Sequence, residues 1–364
     1  MITARNGSIF RILLIAASLF GQGGPIAADA AKAGIASEST DGAGIAGAGS
    51  DDGSARAPAC AIQHPSVLTR YKVRPAWRVA GVDYCVGYPA DTVLKDPATI
   101  SMRGVSVDRR GRVIAVTGDD VTLDGYDFST EGGWSVFVQA ANTRIVNSKF
   151  MIGAQDNTPI YSNPANGTPS NLYVGYSVID GNGKSPGYGG LITMVGRGLT
   201  VEYCWLKNAG GDMIQQHHTG GNVVVRNNLI EQGGLAPAAH GDYTQFLGSP
   251  ITATIVYNTS LQNGGATQGF MTEYVTTGEI GHNTMMGSVS YFVSVDLSSI
   301  VTTFTVHDNY FDPGGYGFAY PSPRNGTPND ASPKTIFTHN VDMRTGAVLE
   351  DAHGPAATSS RSRP

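Results

Sequence analysis

Nine aliphatic residues recur along this chain, each followed five positions later by another apolar residue. The openers are Leu123, Ile145, Val174, Val201, Val225, Val256, Ile280, Val306 and Ile336, spaced 22 to 31 residues apart. The closers are Phe128, Phe150, Ile179, Leu206, Ile230, Leu261, Met285, Phe311 and Val341. A period in this range marks a repeat architecture. Each copy opens with a short apolar strand. A small-residue turn often follows, as at Gly210-Gly211, Gly233-Gly234 and Gly264-Gly265. A second apolar strand comes next, starting at 190, 212, 242, 269 and 291, in step with the first set.

No segment between them keeps a 3.6-residue apolar period, so helical crossovers are not expected. The strands are rich in Val, Ile, Thr and aromatics and bounded by Gly and Asn. The 48 glycines suit many tight turns. One coil cannot bury its apolar side alone, whereas stacked coils can. A small or polar residue follows each opener within a few positions: Asn147, Ser177, Cys204, Asn227 or Asn228, Asn258, Asn283 and Asn309. In a coil stack these fall about 4.8 Å apart, the spacing of neighbouring strands.

With these strands and polar positions, the chain resembles the right-handed parallel β-helix proteins of the pectate-lyase-like superfamily. The resemblance covers roughly residues 105 to 345. It implies an all-β, single-stranded parallel β-helix of about 8–9 coils. A propeller blade would instead need about 40 residues and four strands. Residues 59–104 show no repeat and are expected to cap the N-terminal end of the stack, because an open sheet edge invites aggregation.

The N-terminus carries Arg5 and Arg11, the apolar run Ile12 to Phe20, and an Ala28-Asp29-Ala30 cleavage pattern. Residues 1–30 therefore read as a secretory signal peptide, too short to span a membrane. Residues 31–58, rich in Ala, Gly, Ser and Asp, read as a disordered linker, and 346–364 as a disordered tail. Export makes a Cys60–Cys85 disulfide plausible, and Cys204 reads as a buried core thiol. A formal net charge of −5 argues against nucleic acid as partner.

Titratable and amide side chains gather on the second strands of the middle coils. Asp212, Gln215, Gln216, His217 and His218 lie on one, His240, Asp242, Tyr243 and Gln245 on the next. Glu273, Tyr274 and Asp296 follow. The repeat stacks Asp212 on Asp242 and Gln215 on Gln245. The resemblance implies a long groove for an extended polysaccharide, with Tyr243, Tyr274 and Tyr291 as stacking aromatics.

Two chemistries compete. β-Elimination on a uronate polymer needs a base, an acid and a neutralising cation. His217, His240 and Tyr243 would supply the protons. Arg226, Lys207 or a Ca²⁺ would supply the cation. Glycoside hydrolysis needs two carboxylates, about 5–5.5 Å apart in retaining enzymes and 6.5–9.5 Å in inverting ones. Asp212 with Asp242 would suit the first spacing, Asp242 with Asp296 the second. The best-marked families are distinguished by motifs this chain does not carry together or clearly: the combined Asn-Thr-Asp, Asp-Asp and Gly-His-Gly set of polygalacturonase-like hydrolases, the Asp-Pro-His-Asp of alginate epimerases, and a clear Arg-x-Pro segment of calcium pectate lyases within the repeats. His217, His218, His240 and Asp242 could also ligate a transition ion, and Asp119, Asp120, Asp124 and Asp127 could bind Ca²⁺. A non-catalytic exported β-helix, either polysaccharide-binding or surface-structural, is the alternative from a different class.

Overall fold

The computed structural model describes residues 60–153, 157–162, 169–187, 189–217, 221–247, 251–264, 267–272, 275–296, 303–312, 315, 317–322 and 334–349. The expected signal peptide and linker, His218, Glu273 and Tyr274 lie outside the described residues, as does the tail beyond 349. So does the side chain of Asp296.

Three parallel sheets wrap into a β-solenoid. The first sheet contains Val113–Val116, Ser135–Val138, Ile160–Tyr161, Ile192–Val195, Ile214–His217, Gly241–Leu247, Thr267–Thr272, Val293–Asp296 and Ala319–Ser322. The second runs from Thr122–Asp124 through Arg197–Glu202 and Thr277–Gly281 to Lys334–Thr338. The third runs from Asp127–Phe128 through Trp205–Lys207 and Leu229–Glu231 to Asn340–Asp342. Among the described residues, strands from the three sheets follow one another in nine successive triplets. No helix among the described residues is long and apolar enough to cross a membrane.

The register explains the period. Leu123, Ile145, Val174, Val201 and Val225 pair in one column and are fully buried. Two expected openers are displaced by one residue. Ile255, not Val256, pairs with Val225, and Phe337, not Ile336, pairs with Val306. A one-residue slip moves a side chain to the other face of its sheet, and Ile336 is accordingly exposed. Two closers shift as well. Ser260 takes the inward place opposite Ile230, and Val341 pairs with Tyr310. In each of these runs two neighbouring residues could have filled the inward position, and only strand pairing chooses between them.

Between the second and third sheets one residue in the left-handed region turns the chain. Asn147, Tyr176, Tyr203, Asn227, Tyr257, His282, Asp308 and His339 hold this place, with φ between 49° and 58°. The residue after each turn faces inward: Ser148, Ser177, Cys204, Asn228, Asn258, Asn283, Asn309 and Asn340, all fully or almost fully buried. Asn147, expected inside, is thus the turning residue, and its amide bonds Asp124. The inner asparagines form a ladder. The backbone N–H of Asn258 donates to Asn283 Oδ1 (2.9 Å), and that of Asn283 donates to Asn309 Oδ1 (3.0 Å). Each Nδ2 also donates back to the preceding coil, as Asn258 does to the Val225 carbonyl (2.8 Å) and Asn283 to that of Ile255 (2.9 Å). Cys204 shares the column, and burial pushes its thiol up to about 12.

The N-terminal segment was expected to close the end of the stack, and only its last part does. Ile100 joins the main core, with Met102, Val105 and Val107 packed on it, and Val105–Asp108 pairs antiparallel with Val113–Val116. Residues 60–95 instead form a strap running the length of the third sheet. Val73 N donates to Met343 O, Gly87 N to Tyr203 O, and Lys95 N to Gly125 O. Leu68, Val79 and Val82 cluster with Leu261, Met286 and Met343. Leu261 is therefore buried, but beneath the strap and outside the coil interior. The reason is apolar surface: the third sheet carries apolar groups on its outer side that would otherwise meet water. Cys60 and Cys85 are bridged, so both lie in the strap. Val348–Leu349, expected in a structureless tail, pairs antiparallel with Asn340–Asp342.

Replacing Asn283 by Ala strands the donors and acceptors of two neighbouring coils. Urea unfolding should show a loss of about 1–3 kcal/mol for each buried group left without a partner. A surface control, Asn222→Ala at an exposed strand position, should change stability much less.

Candidate functional site

On the first sheet one register column holds Phe137, Tyr161, Thr193, Gln215, Gln245 and Met271. Phe137 and Tyr161 are half-buried, and their rings stack at 4.7 Å and 13°. This pair forms an aromatic platform outside the cluster that the sequence singles out. The signal available was the pair of large aromatics at an outward position, visible only once the register is known.

Further along the column, Gln215 Nε2 donates to Gln245 Oε1 (2.9 Å), so the expected stacking of these amides holds. The same Nε2 donates to Asp212 Oδ2 (2.5 Å). Its Oε1 lies 3.0 Å from His217 Nε2. Because the amide nitrogen is committed to two acceptors, the Gln215 oxygen faces His217, and His217 carries its proton on Nε2. Asp212, Gln215 and His217 thus form one hydrogen-bonded array on a single strand. Gly189, at φ +63°, brings its backbone over them, and a Cβ there would stand 2.6 Å from Gln215 Oε1. The array is partly roofed as a result: Asp212 and Gln215 are each 8 % exposed.

Asp212 and Asp242 stack as the repeat implied, with the Asp242 N–H donating to Asp212 Oδ1 (2.8 Å). Burial raises the pKa of Asp212. That N–H, the Gln215 amide and the charge of nearby His240 oppose the shift without cancelling it. Burial thus shifts Asp212 toward its protonated form relative to an ordinary aspartate.

Other expected members sit elsewhere. Asp242 has no exposed surface, with His240 Nδ1 3.8 Å from its Oδ2. It cannot reach a polymer, so an Asp212–Asp242 pair cannot work as two glycosidase carboxylates. Tyr243 points into the core, edge-on to Phe270, and burial raises its pKa strongly. It neither stacks on a sugar nor donates a proton. His240 is exposed at the start of the next strand, with Nε2 2.9 Å from Gln268 Nε2. Asp296 lies five strand positions beyond the level of Asp242 and two coils away, about 16 Å along the strand direction. The two cannot form an inverting pair. Tyr291 is half-buried in the loop before Val293–Asp296.

The two cations expected to neutralise a carboxylate face other sheets. Arg226, on the second sheet, pairs with Glu202 (2.5 Å). Lys207, on the third, pairs with Asp180 (3.4 Å) and lies over the Trp205 ring (4.0 Å). Asp119, Asp120, Asp124 and Asp127 do not converge either. Asp119 accepts the Ala141 N–H, Asp120 and Asp124 accept the amides of Asn142 and Asn147, and Asp127 accepts the Ser129 N–H. A groove of about 730 Å³ lies round the corner from His217, on the second sheet, where Arg144, Tyr173, Arg197 and Asn222 line it. The Arg144 guanidinium lies 3.9 Å over the Tyr173 ring.

Comparisons with protein-family models, with curated proteins and with solved structures gave no match.

The raised pKa of Asp212 fixes the sign of a pH effect. A group whose folded pKa lies above its unfolded value contributes stability that is present below the unfolded pKa and lost as pH rises through the folded one. Relative to Asp212→Asn, the unmodified chain should therefore lose stability as pH climbs through and above the ordinary aspartate range, then level off. Urea unfolding across a pH series measures this.

Proposed function

We propose that this chain is an exported carbohydrate-active protein that holds an extended, uronate-containing polysaccharide along the outer face of the first sheet and cleaves it by β-elimination. The observation that carries the reading is the Asp212–Gln215–His217 array in the same sheet as the stacked Phe137–Tyr161 platform. Aromatic faces offer apolar surface to sugar rings, and the amides of Gln215 and Gln245 match sugar hydroxyls. Export rests on the N-terminal basic and apolar pattern.

In this reading His217 takes the C5 proton. The electron pair forms the C4–C5 double bond, the C4–O bond breaks, and Asp212 passes its proton to the leaving oxygen. Gln215 holds both groups in place and sets the His217 tautomer. Neither Arg226 nor Lys207 faces this sheet, so the uronate carboxylate must be neutralised by other means, with Ca²⁺ the ion to test.

A second reading, a polysaccharide binder without turnover, is favoured by one observation. Asp242 and Tyr243, two of the acid–base groups expected from sequence, have no exposed surface.

The test incubates the purified chain with a panel of uronate polymers and neutral glycans, with and without Ca²⁺. Ultraviolet absorbance reports the unsaturated product, and calorimetry reports binding. Absorbance should rise on a uronate polymer, and His217→Ala should cut the rate at least about 100-fold, the scale of general acid–base catalysis. Tyr161→Ala should weaken binding about tenfold, ~1.4 kcal/mol, while leaving turnover measurable. Binding with no absorbance change on any polymer would establish the binder. No binding to any glycan would reject both readings.

A further inference from the structure

The left-handed corner between the second and third sheets carries His282 and Asp308 on consecutive coils, at φ 55° and 50°. His307 precedes Asp308 and pairs in register with Gly281. Gly281 has no side chain, and the His307 imidazole lies across the space. A Cβ at Gly281 would come within 2.7 Å of the ring. This places one ligand atom each of His282, His307 and Asp308 within 4.8 Å of one another. His307 Nδ1 is 2.9 Å from Asp308 Oδ2, and its Nε2 is 3.2 Å from Glu279 Oε2. His282 stacks on Tyr257 at 4.8 Å, and Trp77 of the strap meets it edge-on at 5.2 Å. All three ligand residues are half-buried, so an ion can enter from solvent.

We propose that His282, His307 and Asp308 form a binding site for a divalent ion of the zinc class, with Glu279 positioning His307 by accepting its Nε2–H. The donor set decides the class of ion. Two imidazoles and one carboxylate suit Zn²⁺, Co²⁺, Ni²⁺ or Cu²⁺, whereas Ca²⁺ and Mg²⁺ prefer an all-oxygen shell. Bond lengths of about 2.0–2.2 Å put neighbouring tetrahedral ligands about 3.3–3.5 Å apart. The His307–Asp308 separation needs only a small side-chain adjustment to reach this. A metal-bound histidine commonly donates its other N–H to a carboxylate, the place Glu279 holds. Three protein ligands leave a fourth position for water.

The ligands come from two coils, His282 on one and His307 with Asp308 on the next. An ion here would tie those coils together beneath the seat of Trp77. The site lies at a different edge of the solenoid from the first-sheet array and does not depend on how that array is read.

The test uses the full, untagged chain, stripped with chelator and titrated with ZnCl₂ by calorimetry. Co²⁺ serves as a visible-absorbing probe and CaCl₂ as the comparison. One zinc-class ion should bind per chain, and Ca²⁺ should not compete. Asp308→Asn keeps a residue that tolerates the left-handed turn. It and His307→Gln should each weaken Zn²⁺ binding at least tenfold and remove the Co²⁺ visible band. Glu279→Gln should weaken it about 10- to 100-fold. Cu²⁺ should quench tryptophan fluorescence in the wild type far more than in Trp77→Phe, with the heat of binding kept in that variant. Absence of Zn²⁺ binding, or equal affinity in wild type and both ligand variants, would overturn the proposal. Should His307→Gln fail to fold, Asp308→Asn carries the decision alone, because it alters a partly exposed carboxylate.

Discussion

Every coil must turn between the second and third sheets, and it does so through one residue in a left-handed backbone conformation. For tyrosine, histidine and aspartate that conformation costs on the order of 1–2 kcal/mol each, and it is adopted coil after coil. The asparagine ladder inside the corner offsets this cost. Each amide satisfies a backbone N–H of its neighbour and a carbonyl of the previous coil, in a place water cannot reach. A buried polar group without such partners is expensive, and the ladder runs unbroken from Asn228 to Asn340, with Ser148, Ser177 and Cys204 in the same column before it. The stacking of everything else follows from it.

That stacking turns distance in sequence into proximity in space. Residues about 30 positions apart become register neighbours, as Gln215 and Gln245 do on the first sheet. The same operation builds two chemically different places. On the first sheet it lays Gln245 against Gln215, whose own segment already holds Asp212 and His217 in hydrogen-bond contact. At the corner it sets His282 beside His307 and Asp308, using the vacancy at Gly281. The outward side of the corner is also where the strap lands, with Trp77 against Tyr257, His282 and Tyr310. The strap covers the apolar outer side of the third sheet and leaves the first sheet open.

Much of this was legible in the order of residues alone. The period of the apolar pairs, the absence of a helical period and the recurring asparagines specify stacked parallel coils, because only that arrangement buries those positions together. The stacking of Asp212 on Asp242 and of Gln215 on Gln245 also follows, since one repeat carries both pairs. The Cys60–Cys85 bridge was legible as an expectation from two cysteines that follow a basic and apolar N-terminal pattern.

What the sequence could not decide was facing. Ile255 and Val256 are equally apolar, and the choice between them is made by pairing with Val225 on the neighbouring strand. Tyr243 looks like a surface aromatic until the fold packs its ring against Phe270 in the core. Arg226 and Lys207 look like companions of the histidines until three sheets carry them to different sides. Phe137 and Tyr161 look unremarkable until register stacks their rings. A repeat determines which residues are neighbours, because neighbours are a matter of counting. Which of them meet solvent, and which meet each other, depends on a half-turn of the backbone at each corner and on what packs over it, and only the tertiary structure supplies both.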